Sequence, residues 1–98
     1  MTRRMVTYAV KEGRTEENAK YVREVMADLE ARGTTGVTYD VFLLEDGVTF
    51  LHVVDEEGDD GKVQVSGAFQ EFTRTLMEDR CANEPQLHVM TRVGGYSA

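Results

Sequence analysis

Residues Val37–Val54 read VTYDVFLLEDGVTFLHVV, two runs of β-branched, aromatic and aliphatic residues separated by Asp46-Gly47. That dipeptide tolerates the positive φ values of a two-residue type I′ turn, and its position between apolar runs predicts a hairpin. Partners across such a turn step outward together: Glu45 with Val48, Leu43 with Phe50, Val41 with His52 and Tyr39 with Val54. One face then carries Val37, Tyr39, Val41, Leu43, Val48, Phe50, His52 and Val54. The other carries Thr38, Asp40, Phe42, Leu44, Thr49, Leu51 and Val53. Both faces are substantially apolar, so the hairpin needs cover on both sides.

Outward from the hairpin, the flanking segments alternate between two periods. Met5–Lys11 alternates Val6, Tyr8 and Val10 against Met5, Thr7 and Ala9, a strand pattern that Gly13 ends. From Thr15, a candidate N-cap, the period becomes helical, with Ala19, Val22, Val25, Met26 and Leu29 on one stripe. Glu16 and Glu17 suit the positive end of the helix dipole, Arg32 closes the last turn, and Gly33 supplies the left-handed residue beyond it. After the hairpin, DEEGDDG from Asp55 to Gly61 lacks apolar anchors and reads as a solvated loop. Ser66 caps a second helix of about four turns, with Phe69, Phe72, Thr73, Leu76, Met77 and Arg80 facing inward. Pro85 stops any continuation, and Leu87–Val93 alternates as a fourth strand.

The sum is β-α-β-β-α-β, which predicts an α+β, ferredoxin-like domain: an antiparallel four-stranded sheet in the order 4-1-3-2, with both helices on one face. The second apolar face is then bare, and closed two-fold symmetry is the commonest way to bury such a surface, so a homodimer joined sheet to sheet is expected. Ninety-eight residues suit one domain, 1–98. A net charge of −7 argues against a nucleic-acid backbone or an anionic membrane surface as partner. A single cysteine, Cys81, cannot form an internal disulfide, and no apolar run is long enough for an export core or a membrane span, so a cytoplasmic location is expected.

The segments YAVKEGRTEENAKYV, DGVTFLHVV, AFQEF and VGGY resemble the antibiotic-biosynthesis-monooxygenase-like (ABM) branch of the dimeric α+β barrel superfamily, a likeness that spans nearly the whole chain. The resemblance implies a dimer whose two sheets form a barrel, with a small-molecule pocket between helices and sheet in each subunit. It also implies a choice among cofactor-free oxygenases of quinol-like aromatics, haem-degrading enzymes, small-molecule isomerases and members without an assigned activity. Haem-degrading members use an asparagine on the first strand, a core tryptophan and a histidine on the second helix. This chain has Thr7 and Tyr8 on the first strand, no tryptophan, and no histidine between Ser66 and Cys81, which disfavours haem.

His52, mid-strand among apolar neighbours, is the foremost candidate for chemistry. Either it accepts a proton from an enolisable or phenolic substrate, giving a carbanion or phenolate that reacts with O2, or it is a neutral imidazole bonded to a tyrosine or a backbone carbonyl. Tyr8 and Tyr39 are placed to share its pocket as orienting hydroxyls, or to be core rings with the hydroxyl at the edge. Phe50, Phe69 and Phe72 are candidates to line a substrate pocket, or are plain core. Asp40 interrupts the face assigned to the dimer and suits an ion pair with Arg92 across subunits. The acidic loop fails the EF-hand spacing, and Cys81 and His88 lack partner ligands, so neither a metal nor another cofactor is expected. The leading expectation is a cofactor-independent monooxygenase-like protein acting on a small aromatic or quinol-type substrate. The alternative is a non-catalytic ligand-binding or scaffold protein of the same fold.

Overall fold

The computed structural model describes residues 2–58 and 61–98. Strand β1 spans Thr2–Ala9, helix α1 Thr15–Ala31, β2 Val37–Leu43, β3 Thr49–Glu56, α2 Gly67–Thr75 and β4 Gln86–Met90. The four strands form one antiparallel sheet in the order β2-β3-β1-β4, the order expected from the sequence.

The hairpin register is the one the turn signal predicts, with Leu43 opposite Phe50, Val41 opposite His52 and Tyr39 opposite Val54. The turn itself differs. A type I′ turn needs positive φ at both central residues, and here Gly47 has φ 78° while no described residue other than glycine has positive φ. The loop is instead four residues, Glu45–Val48. The Gly47 N–H donates to the Leu44 carbonyl (3.0 Å), and the Leu44 N–H to the Thr49 carbonyl (2.8 Å). The Asp46 carboxylate accepts from the N–H groups of Val48 and Thr49 (3.0 and 2.9 Å). Any loop centred between residues 46 and 47 leaves the strand pairing unchanged, so the register survives the change of turn.

The sheet face that meets the helices is the one bearing Tyr39, Val41, Phe50 and His52, joined by Val6 and Tyr8 of β1. Val25 and Leu29 of α1 and Phe72 of α2 complete the buried cluster. Gly33 ends α1 as expected: its N–H reaches the Glu30 carbonyl and that of Thr34 reaches the Leu29 carbonyl, a Schellman closure. Thr15 is the first helical residue rather than the N-cap, because its hydroxyl is spent on the Gly47 carbonyl (2.7 Å), tying the helix start to the hairpin loop. Ser66 does cap α2, accepting from the Phe69 N–H (3.1 Å). The α-helix stops at Thr75 and continues as one wider π turn, Leu76–Arg80, whose ends are both buried. Thr73 and Met77 are exposed, yet both border the space between α2 and the sheet.

Two stretches depart from the sequence reading in a connected way. Strand β1 begins at Thr2, not Met5, and β3 runs on through Asp55 and Glu56, where the sequence pattern predicts a solvated loop. Charge pairing extends both strands: Arg3 binds Asp55 on the outer face, and Arg4 Nη2 lies 2.6 Å from Glu56 Oε2 on the helix side. Glu56 is 0 % exposed and also accepts from the Val63 N–H (3.1 Å), which anchors the chain after the loop. Asp59 and Asp60 lie outside the described residues. Strand β4 ends at Met90, so Thr91–Val93 do not join the sheet.

Because Glu56 is fully buried and accepts from the Arg4 guanidinium and from the backbone N–H groups of Gly61 and Val63, Glu56→Ala removes the partner of three donors. It is expected to lower stability by roughly 3 kcal/mol in urea unfolding. A loss below about 0.5 kcal/mol, the range of ordinary surface changes, would show that the pair contributes nothing.

Candidate functional site

A cavity of about 280 Å³ lies between α2 and the helix-facing side of the sheet. Val6, Val54, Val63, Phe69, Phe72 and Leu76 make its apolar wall, and Arg4, Tyr8, Tyr39 and His52 its polar side. Met77 and Leu87 border it and are themselves exposed. Alternation along the strands explains the grouping. Tyr39 and Arg4 each sit opposite Val54 in one cross-strand row, and Val41, His52, Val6 and Leu87 form the next.

Three of the residues singled out from the sequence meet directly. His52 is 5 % exposed and both its ring nitrogens are bonded to tyrosines: Nε2 to the Tyr8 hydroxyl and Nδ1 to the Tyr39 hydroxyl, each at 2.7 Å. Phe72 lies against the imidazole with ring centroids 5.4 Å apart, and Phe69 packs edge-on to Tyr39. Phe50 does not line the cavity. It lies one row further along the sheet, buried and stacked on Tyr8 with centroids 5.8 Å apart, and serves as core.

Two residues that the sequence reading did not place in the site continue the chain of bonds. Asn18 of α1, 0 % exposed, donates its Nδ2 to the Tyr8 hydroxyl (2.9 Å), and its Oδ1 accepts from Arg80 Nε (2.9 Å). Arg80 is itself 1 % exposed. Its Nη1 donates to the Thr75 hydroxyl (2.6 Å) and its Nη2 to the Phe72 carbonyl (3.1 Å), and its guanidinium lies 4.0 Å from the centre of the Tyr21 ring. The sequence held a signal for Asn18. It shares the stripe of Val22, Val25 and Leu29, and an amide at a core position of a helix must find partners inside the protein.

Burial sets the electrostatics of the site. Desolvation pushes the His52 imidazole down to about 4, and raises both the Tyr8 and Tyr39 hydroxyls above the ordinary phenol range. All three are neutral at neutral pH. Among the described residues no group of three or more His, Cys, Asp or Glu side chains could hold a metal ion, and no helix is long and apolar enough to cross a membrane.

Solved structures share this architecture over nearly the full chain. A Pseudomonas aeruginosa protein superposes with a TM-score of 0.76 at 20% identity, covering 95% of this chain and 94% of its own. A structure described as an antibiotic biosynthesis monooxygenase gives 0.71 at 15% identity, covering 96% and 100%. A candidate antibiotic biosynthesis monooxygenase from Nitrosomonas europaea gives 0.76 at 14%, covering 94% and 89%. No protein-family model matches the sequence, and no curated protein matches it. The chain has the ferredoxin-like α+β fold of the antibiotic biosynthesis monooxygenase type, as its sequence resemblance implied.

The His52 environment has a consequence for stability. The imidazole titrates near 6.5 in an unfolded chain and near 4 in the fold. Between those values the unfolded state binds a proton that the folded state does not, so stability falls as pH falls through that window, by roughly 3 kcal/mol in all. Urea unfolding between about pH 7 and pH 4.5 should show this slope, and His52→Gln should flatten it relative to the parent. Matching slopes in the two proteins would count against a buried neutral His52.

Proposed function

We propose that the protein is a cofactor-independent monooxygenase-like protein that takes a small aromatic or quinol-type molecule into the cavity between α2 and the sheet. The observation that carries this reading is the composition of the cavity. Phe69 and Phe72 contribute aromatic rings to a largely aliphatic wall, and Tyr39, backed by His52 and Tyr8, supplies polar contact on one side. The overall likeness to structures described as antibiotic biosynthesis monooxygenases supports the same class.

In this reading the substrate oxygen bonds to the Tyr39 hydroxyl, and ionisation of the substrate yields the electron-rich anion that reduces O2. The substrate supplies all four electrons that O2 takes up: a ring C–H ortho or para to a hydroxyl gains one oxygen atom as the ring reaches the quinone level, the other oxygen leaves as water, and the proton lost on ionisation passes to solvent and is regained in that water. His52 acts through the tyrosines rather than as a free base, since both its nitrogens are held by them and a base titrating near 4 retains a phenol's proton poorly.

The second part of the proposal is a homodimer formed through the outer face of the sheet. That face carries Phe42, which is 52 % exposed, with Met5, Leu51 and Val53, and Asp40 lies among them. Burying roughly 500 Å² of apolar surface per subunit would contribute on the order of 12 kcal/mol before the costs of association.

Oxygen-electrode measurements with a panel of hydroquinones and para-unsubstituted phenols test the enzymatic reading. Uptake with at least one compound is expected, falling by roughly 100-fold in Tyr39→Phe and sharply in His52→Ala. Compounds that bind without O2 uptake would leave a ligand-binding protein of the same fold. Light scattering after size exclusion should give twice the chain mass, and a monomer at micromolar concentration would remove the dimer.

A further inference from the structure

We infer that Arg80, acting through Asn18, fixes the direction of the hydrogen-bond chain that runs from Asn18 through Tyr8 and His52 to Tyr39. The cavity therefore presents the Tyr39 hydroxyl as a proton donor and takes an oxygen that can only accept, a phenolate or enolate above all. The ligand half rests on the pocket reading given under Proposed function, whereas the direction of the chain does not.

The direction follows from counting protons. A guanidinium has donors and no acceptor, so the atom of Asn18 that faces Arg80 Nε must be the amide oxygen. The amide nitrogen therefore faces Tyr8 and donates to its hydroxyl oxygen. Tyr8 is 2 % exposed, and its other partner is His52 Nε2. Its proton goes to that nitrogen, because the alternative leaves an almost fully buried hydroxyl proton with no acceptor in the protein. With Nε2 accepting, a neutral imidazole carries its hydrogen on Nδ1, which donates to the Tyr39 oxygen. The Tyr39 proton is thereby left over, on a residue that lines the cavity.

One fixed cation at the junction of the two helices thus determines what a side chain at the other end of the site offers. Arg80 and Asn18 touch no ligand and are positioning residues. Tyr39 is the group that would touch it. Asn18 and Arg80 are sealed from solvent, and the links through Tyr8 and His52, although these residues line the cavity, are made within the protein, so the direction is set without a solvent molecule. A neutral phenol can accept from Tyr39 as well, but an oxyanion gains the charge-assisted bond, and the aromatic wall serves both forms equally. The preference between ionised and neutral forms of one molecule therefore isolates the polarity of the chain from the fit of the ring.

The near-isosteric substitution Asn18→Asp should reverse the chain. A carboxylate at that position accepts from both Arg80 and Tyr8. Tyr8 then accepts from Nε2–H, Nδ1 accepts from Tyr39, and the cavity meets a lone pair in place of a proton. The primary measurement is the nitrogen NMR spectrum of the imidazoles at a pH where they are neutral, which needs no ligand. The chain has two histidines, His52 and His88, so assignment requires a single His88→Gln control. The parent should show His52 as the Nδ1–H tautomer and the Asn18→Asp protein as Nε2–H. An Nε2–H tautomer in the parent overturns the inference, and that spectrum is decisive even if the variant does not fold. The second measurement uses para-nitrophenol near its own solution pKa, where its two forms are told apart by absorbance. The parent should bind the phenolate roughly tenfold or more tightly than the phenol, and the variant should lose or invert that preference. Equal binding of both forms by the parent overturns the ligand half. Binding of neither form, with the parent tautomer as expected, overturns the pocket reading and upholds the direction of the chain.

Discussion

A buried guanidinium is the constraint on which the site depends. Taking a cation out of water costs several kcal/mol unless its donors are met, and Arg80 is 1 % exposed. The fold meets the demand from several directions at once: an amide from α1, a hydroxyl and a backbone carbonyl from α2, and the face of Tyr21. The π turn at Leu76–Arg80 is where α2 departs from regular geometry, and Arg80 is its last residue. Irregular helical turns of this kind recur at functional sites. Here the irregular turn delivers the residue that joins the two helices and orients the amide between them.

Much of the fold was legible because it depends on local signals that agree with one another. The strand register follows from the centre of the turn, and that centre is marked by Asp46-Gly47 whether the loop has two residues or four. Ser66 and Gly33 mark helix ends by chemistry that involves only their neighbours. The face of the sheet that meets the helices was not legible, since Phe42, Leu51 and Val53 are as apolar as Val41, Phe50 and Val54. The choice is made by polar groups: His52 and Tyr39 find each other on the inner side, whereas Asp40 goes to the open side, where water or a partner can serve it.

The acidic run was misread for a related reason. In DEEGDD the residues look alike, yet Glu56 belongs to the core and Glu57 does not. The difference is made by Arg4, 52 positions away, which lies beside Glu56 only after the sheet has formed. Asn18 is the same case on a helix, because its partners Tyr8 and Arg80 lie on other elements. Buried polar groups are specified by pairs distant in sequence, and a linear reading sees one member at a time. His52 was found from the sequence because a polar residue amid an apolar strand is conspicuous without its partners. Its two tyrosines then followed from register and strand adjacency.

What emerges is a pocket whose titratable groups are held neutral by the same burial that assembles them. The Tyr8 and Tyr39 hydroxyls are pushed above, and the His52 imidazole below, the range in which they would change charge at neutral pH. Arg4, the cation on the cavity wall, is matched by Glu56. The site therefore carries little net charge and acts through the orientation of dipoles in a medium of low polarity, where a fixed O–H is worth more than it would be in water. Such a site can favour the ionised form of a bound phenol without attracting anions in general, which suits a protein whose overall charge of −7 would repel them. Under the reading proposed above, selectivity rests on the direction of a hydrogen-bond chain, and that direction on a cation that the ligand never meets.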